Sequence, residues 1–117
     1  MTIRQPILTI ILPTYNRVKL LKKLFESVDY FSDELEILVI DDNSSDGSKK
    51  LIKNSKYNLH PIKFQYLFNE KNLGRAPCLQ KGLNNASGLF SMFMDSDDYF
   101  IKDGISNIIH YLKLLIK

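Results

Sequence analysis

Three short apolar segments of the chain each end abruptly in polar or acidic residues, and this pattern constrains the fold more than any other feature. The segments cover residues 7–12, 37–40 and 89–94 and contain mainly aliphatic and aromatic side chains. A short segment that is apolar on both faces is typical of a strand in a parallel sheet, because helices cover both faces of such a sheet. The pattern therefore predicts a parallel sheet.

Helical patterns fill the gaps between these strands. Apolar residues recur at spacings of three and four from residue 18 to residue 28, and shorter helices are predicted over residues 48–54 and 76–86. Asn16 is predicted to cap the first helix, and a further strand is predicted over residues 63–68. This alternation predicts an α/β fold with a parallel sheet and helices on both faces, because crossovers between parallel strands are right-handed.

The C-terminal segment is predicted to form an amphipathic helix. Its apolar side chains share one helical face: Ile105, Ile108, Ile109, Leu112, Leu115 and Ile116. So wide an apolar face predicts self-association of the chain through this helix. Binding to a membrane surface is the weaker alternative, because Lys102, Lys113 and Lys117 are too few for a strongly basic face.

Composition and charge fit one soluble domain over residues 1–117. The chain is 44% hydrophobic and 25% charged, which excludes a disordered or collagen-like chain. A net charge of only +3 without a basic block argues against a nucleic-acid partner. The single Cys78 excludes an internal disulfide and a cysteine zinc cluster. We expect a cytoplasmic protein, because Pro6 interrupts any signal peptide and no apolar run approaches the ~18 residues of a membrane span.

The polar residues that follow the strands are predicted to form one site, because ligands bind beyond the carboxyl ends of parallel strands. The chain has no G-x-G-x-x-G or Walker sequence to hold phosphates. Because acidic clusters follow the strands instead, we expect a divalent cation, Mg²⁺ or Mn²⁺, to hold the phosphates of a ligand. The residues concerned are Pro13, Thr14, Tyr15 and Asn16 after the first strand, Asp41 and Asp42 after the second, and Asp95, Asp97 and Asp98 after the last.

Each acidic or aromatic residue of this set also has a simpler interpretation. Asp95 and Asp97 leave the strand on the same side and can share an ion, but a solvated acidic turn has the same sequence. Asp42 can accept a hydrogen bond from a ligand N–H, or only cap the next helix. Tyr15 can stack on a planar base or simply pack. A calcium loop starting at Asp42 is excluded because its twelfth position is Lys53 rather than an acid.

Basic, sulfur and imidazole side chains give weaker signals. Arg75 and Lys81 lie in or after the loop before the third helix, and can meet a diphosphate or remain solvated surface charges. Cys78 is expected to be a packing residue. His60 and His110 carry no motif and are expected to be structural or surface residues.

Taken in order, the motifs resemble those of the inverting family-2 glycosyltransferases of the GT-A fold. The resemblance extends over about residues 7–104. Each segment alone is weak evidence for this family, but the segments together and in this order are highly specific for it. The segments are Ile10-Ile11-Leu12-Pro13-Thr14-Tyr15-Asn16-Arg17, Glu36-Ile37-Leu38-Val39-Ile40-Asp41-Asp42-Asn43-Ser44-Ser45-Asp46-Gly47-Ser48, Asn72-Leu73-Gly74, and Ala86-Ser87-Gly88 followed by Met94-Asp95-Ser96-Asp97-Asp98.

The resemblance implies a Rossmann-like domain whose donor is a UDP-sugar. Asp42 would accept the N3–H of uracil, and Tyr15 with the chain at Pro13 and Thr14 would border the base. Arg75 would belong to the same nucleotide-sugar site. The acceptor hydroxyl would lie on a saccharide, a lipid-linked saccharide or a protein, as in polysaccharide biosynthesis.

The resemblance also implies a metal, Mn²⁺ or Mg²⁺, that bridges the nucleotide diphosphate. Asp97 would ligate the metal, Asp95 would lie near the ribose and the metal, and Asp98 would be a further ligand. The metal would neutralise the leaving diphosphate as the glycosidic bond breaks.

The family's catalytic domain is longer than this chain, and its second half supplies the catalytic base and the acceptor pocket. We therefore expect the 117 residues to be the nucleotide-sugar-binding half, truncated relative to the family, with no assignable base and no sugar transfer alone. Two alternatives are open. One is a non-catalytic nucleotide-binding fragment, and the other is a phosphoacceptor receiver domain, which also binds Mg²⁺ beside a strand that ends in an acidic pair such as Asp41-Asp42.

Overall fold

Strands and helices alternate along the chain as predicted. The computed structural model describes residues 5–116, so the sequence-based interpretations of residues 1–4 and of Lys117 lie outside the described residues. The elements are β1 (Leu8–Thr14), α1 (Val18–Glu26), β2 (Leu35–Asp41), α2 (Ser48–Asn58), β3 (Lys63–Phe68), α3 (Arg75–Asn85), β4 (Phe90–Phe93) and α4 (Gly104–Leu115).

The four strands form one parallel sheet in the order β3-β2-β1-β4. The register pairs Leu8 with Leu35 at one end of the β1–β2 ladder and Thr14 with Asp41 at the other. The carboxyl ends of the strands therefore meet at one edge, where the predicted site residues follow them.

Helices cover both faces of the sheet, which confirms the α/β prediction, but they are divided unequally. On one face the sheet packs against α1, α2 and α4 through buried side chains, and on the other it packs against α3. The first core includes Leu8, Ile10, Leu12, Ile37, Val39, Leu21, Leu24, Ile52, Ile105 and Ile109, and the second contains Ile11, Leu38, Ile40 and Cys78. Because neighbouring strand residues point to opposite faces, the continuous apolar runs supply both cores.

The helix α3 approaches the sheet closely because Gly82 has no side chain. A Cβ atom at this position would lie 2.3 Å from Cγ2 of Ile11. This contact brings the first residue of α3, Arg75, to the carboxyl edge of the sheet.

Some predicted boundaries are wrong for identifiable reasons. β1 does not stop before Pro13 but includes it. The pairing of β1 with β4 ends at Ile11 and Phe93, so the missing N–H of Pro13 falls on the side where no ladder bond is needed. β2 begins earlier than predicted, at Leu35, because the buried carboxylate of Glu36 accepts hydrogen bonds from Thr9 and Ser87. Further differences are that α1 ends before the predicted residue 28 and that α2 extends beyond residue 54.

The apolar face of α4 is only partly covered. Ile105 and Ile109 are fully buried, whereas Ile108, Leu115 and Ile116 are exposed. No helix within residues 5–116 combines the length and the apolar character that crossing a membrane requires.

Candidate functional site

The loops after β1 and β2 are joined by hydrogen bonds. The backbone N–H of Asn16 donates to Ser44 Oγ at 2.8 Å, and the N–H of Ser45 donates to Asn16 Oδ1 at 2.8 Å. Asn16 has a positive φ of 50°, a conformation that asparagine tolerates better than most residues. Hydrogen bonds between the two loops therefore fix their position at the carboxyl ends of β1 and β2.

The prediction that Asn16 caps α1 is wrong. Arg17 occupies the N-cap position without a side-chain cap, and the N–H of Val18 donates to Asp46 Oδ2 at 3.0 Å from the other loop. Burial alone would raise the pKa of Asp46, but hydrogen bonds from Ser48 and Val18 hold it below its usual value. Asp46 is thus a structural residue that ties the two loops together.

A cleft of about 350 Å³ opens at the carboxyl ends of β1, β2 and β4, beside the start of α3. This volume is within the usual range of small-molecule sites. The residues predicted to bind the nucleotide sugar line it together, and their roles remain predictions. The lining residues are Pro13, Thr14, Tyr15, Arg17, Asp42, Arg75, Cys78, Asp95, Ser96 and Asp97.

The hydroxyl of Thr14 is buried in the wall of this cleft without a partner. Thr14 is 4% exposed, and its Oγ1 makes no hydrogen bond with any part of the chain that the structure describes. Leaving a buried polar group unpaired costs about 1–3 kcal/mol. This hydroxyl is therefore available to a polar atom of a ligand.

Asp42 is buried and ionised at the same wall. Its Oδ1 accepts hydrogen bonds from Asn69 Nδ2 and the N–H of Leu73, both at 2.8 Å, and its Oδ2 accepts one from the N–H of Gly74 at 2.9 Å. Burial alone would raise the pKa of Asp42, but these hydrogen bonds lower it below its usual range. A carboxylate has about four acceptor positions, so Asp42 can accept a further hydrogen bond from a ligand.

The loop before α3 depends on this carboxylate. Gly74 has a φ of 92°, where any residue with a Cβ is strained, and this conformation directs its N–H to Asp42. Lys81 Nζ donates to Asn69 Oδ1 at 2.5 Å. Lys81 is not among the residues that line the cleft, and it holds Asn69 against Asp42.

Three aspartates form a candidate metal site at the end of β4. One carboxylate oxygen from each of Asp95, Asp97 and Asp98 lies within 4.8 Å of the other two. The N–H of Asp98 donates to the carbonyl of Asp95 at 3.1 Å, which closes the turn. Oxygen ligands of this kind suit Mg²⁺ and Mn²⁺, so the residues fit the predicted cation.

Two arginines neutralise two of these carboxylates. Arg17 Nη1 lies 3.0 Å from Asp97 Oδ2, and Arg75 Nη1 lies 2.5 Å from Asp95 Oδ1, with all four side chains about half exposed. The second contact is an ion pair without the geometry of a hydrogen bond. Sequence analysis quoted Arg17 as the last residue of a motif but assigned it no role, although its position directly after the polar residues that follow β1 was a usable signal.

Cys78 is a packing residue, as predicted. It is 1% exposed, and burial together with the charge of Asp42 raises the pKa of its thiol to about 11. His60 and His110 lie on the surface, outside the cleft.

Comparison with known proteins identifies relatives of one kind. Residues 9–114 match the sequence pattern of glycosyl transferase family 2. A GalNAc(5)-diNAcBac-PP-undecaprenol beta-1,3-glucosyltransferase from Campylobacter jejuni is 39% identical over 107 residues, which is 88% of this chain and 33% of that protein. These matches do not favour the receiver-domain alternative.

Two solved structures show the same fold. Residues 1–349 of S. aureus TarS in complex with UDP match with a TM-score of 0.82 and 28% identity, over 92% of this chain and 32% of that one. The mannosyltransferase PcManGT from Pyrobaculum calidifontis, in complex with GDP-Man and Mn²⁺, matches with a TM-score of 0.79 and 27% identity, over 93% and 33%. The chain thus spans about a third of the length of these proteins.

Proposed function

The chain belongs to glycosyl transferase family 2 and has the GT-A fold, and on this premise we propose that its cleft binds a UDP-sugar and a divalent cation for inverting transfer of the sugar. The observation that carries this proposal is that a wall of buried polar side chains and a candidate cation site share one cleft. Thr14 and Asp42 supply the wall, and Asp95 and Asp97 supply ligands for the cation.

Uracil is the base that the wall fits best. The ionised Asp42 accepts hydrogen bonds only, and uracil offers its N3–H, whereas adenine offers an acceptor nitrogen at the corresponding edge. The half-exposed ring of Tyr15 would stack on the base, with Pro13 beside it. Guanine also offers an N–H, and the GDP-Man complex of PcManGT makes it the second candidate base.

The diphosphate would lie between the base and the aspartates. Asp97, Asp95 and Asp98 would hold Mn²⁺ or Mg²⁺, which when bound would supply positive charge to the leaving diphosphate. Arg75 would bind the diphosphate directly, because it is the first residue of α3 and helix N-termini favour anions.

The acceptor side of the reaction requires a hydroxyl group and a base that deprotonates it. We assign no described residue the role of catalytic base, and a non-catalytic nucleotide-binding module remains the alternative. The name of the C. jejuni relative favours a lipid-linked saccharide as acceptor over a free saccharide or a protein. An acceptor of that kind fits a cytoplasmic domain that works at a membrane surface.

The base assignment is tested by calorimetry with UDP, ADP and GDP in the presence of Mn²⁺. We expect UDP to bind at least about fivefold more tightly than ADP, because the ring nitrogen of adenine would set a lone pair against the ionised Asp42 where uracil would donate its N3–H. Equal affinities for UDP and ADP would contradict the role of Asp42. Tighter binding of GDP would replace uracil by guanine.

A further inference from the structure

The ion pair between Arg17 and Asp97 engages one of the carboxylates that the cation would need. Arg17 Nη1 lies 3.0 Å from Asp97 Oδ2, and the carboxylate of Asp97 is one of three that each bring an oxygen within 4.8 Å of the others. A guanidinium and a divalent cation beside the same carboxylate repel each other and compete for its lone pairs. Binding of the cation would therefore displace Arg17.

The backbone at Arg17 is fixed, whereas its side chain is half exposed. Asn16 is hydrogen-bonded to Ser44 and Ser45. Val18 is hydrogen-bonded to Asp46, so the loop after β2 holds the residues on either side of Arg17. The long side chain lines the same cleft as Arg75 and Asp95. A displaced guanidinium thus remains in the cleft, where an anionic ligand can accept it.

We infer that Arg17 is a placeholder cation, which neutralises Asp97 until a divalent cation replaces it and then binds the diphosphate of the nucleotide. This inference rests on the proposed function. The consequence is that cation binding and nucleotide binding are coupled. The divalent cation binds weakly to the chain alone and more tightly when the nucleotide is bound, because the diphosphate then supplies negative charge to the divalent cation and to Arg17.

Arg17→Gln tests the inference through binding rather than through activity. Mn²⁺ affinity is measured by electron paramagnetic resonance without nucleotide, and UDP affinity is measured by calorimetry at saturating Mn²⁺. We expect the variant to bind Mn²⁺ about fivefold more tightly without nucleotide and to bind UDP about fivefold more weakly with Mn²⁺. Lys22→Gln is the matched control, because it removes one positive charge from an exposed position of α1, and it should leave both affinities within about twofold.

The outcomes separate this inference from the proposed function. If the parent binds UDP with Mn²⁺ and Arg17→Gln binds Mn²⁺ no more tightly than the parent, the placeholder role is wrong and the proposed function stands. If the variant gains Mn²⁺ affinity but keeps its UDP affinity, the second half of the inference is wrong. If the parent binds neither Mn²⁺ nor UDP, both the inference and the proposed function are overturned.

Discussion

At the residue scale, we expect Thr14 to weaken the fold and to serve the proposed nucleotide site. Its buried hydroxyl has no partner within residues 5–116, so Thr14→Val should raise the free energy of unfolding by about 1 kcal/mol. The same substitution should weaken UDP binding about fivefold, because the nucleotide would lose a hydrogen bond. Denaturant unfolding and calorimetry measure the two effects.

Thr9 on the same strand provides the control. Its hydroxyl donates to Glu36 Oε1 at 2.7 Å and accepts from the N–H of Gly88 at 2.9 Å, far from the cleft. Thr9→Val should therefore destabilise the fold and leave UDP binding unchanged. A Thr14→Val variant that loses stability like Thr9→Val, or that keeps full UDP affinity, would contradict the role of Thr14.

The residues of the site differ in how far sequence alone could place them. Asp95 and Asp97 were predictable because they follow a buried strand at a spacing that puts them on one side. The hydrogen bond from Val18 to Asp46 was not predictable, because the two residues are 28 positions apart and the local sequence pattern points to Asn16 as the cap. The ion pair of Arg17 was missed for the same reason, since it joins the ends of β1 and β4.

At the scale of elements, Glu36 holds four strands together at the edge of the sheet opposite the cleft. It is fully buried on β2 and accepts hydrogen bonds from Thr9 on β1, from Gln65 on β3 and from Ser87, which precedes β4. The apolar pattern predicted the strands, but this polar network is what allows β2 to begin before its apolar run. Sequence analysis quoted Glu36 only as part of a motif.

The pKa of Glu36 makes this network sensitive to acid. Burial alone would raise its pKa, but the hydrogen bonds from Ser87, Thr9 and Gln65 lower it below the ordinary value of 4.5. A group whose pKa is depressed by folding stabilises the fold above its unfolded pKa and loses that contribution as the pH falls through its folded pKa. We therefore expect the free energy of unfolding to decrease as the pH is lowered below about 4.5.

Glu36→Gln isolates this contribution. The variant should be less stable at pH 7, because an amide nitrogen then faces hydrogen-bond donors, and its stability should fall less steeply below about pH 4.5. Glu26→Gln controls for the loss of one exposed carboxylate. If the Glu36→Gln variant loses stability in acid as steeply as the parent, other groups, such as Asp42 or Asp46, dominate the acid dependence of stability and the prediction is wrong.

At the scale of the whole molecule, the surface around β4 and α4 is apolar and open. A second cleft of about 770 Å³ lies there, lined in part by Phe93, Ile101 and Ile108, which are all exposed. β4 is also an edge strand of the described sheet. Exposed apolar surface and an open strand edge both favour association, so we expect the predicted self-association to involve this cleft as well as α4.

We expect the chain to form dimers or larger species at high concentration in light scattering. Ile108→Lys should shift the distribution toward monomer, because it places a charge in the apolar cleft. His110→Lys, on the exposed side of α4 outside that cleft, should not. A monomeric parent at high concentration would contradict this prediction.

The central claim, that three aspartates bind the nucleotide through a divalent cation, is tested most directly by calorimetry of UDP with Mn²⁺ and with EDTA. We predict that EDTA weakens binding at least about tenfold and that Asp97→Asn removes most of the recovery by Mn²⁺, because the amide keeps the shape but loses the charge. Asp103→Asn, an exposed acid outside the cleft, should respond like the parent. Equal UDP affinity in Mn²⁺ and EDTA, or an Asp97→Asn variant that recovers as the parent does, would contradict the claim.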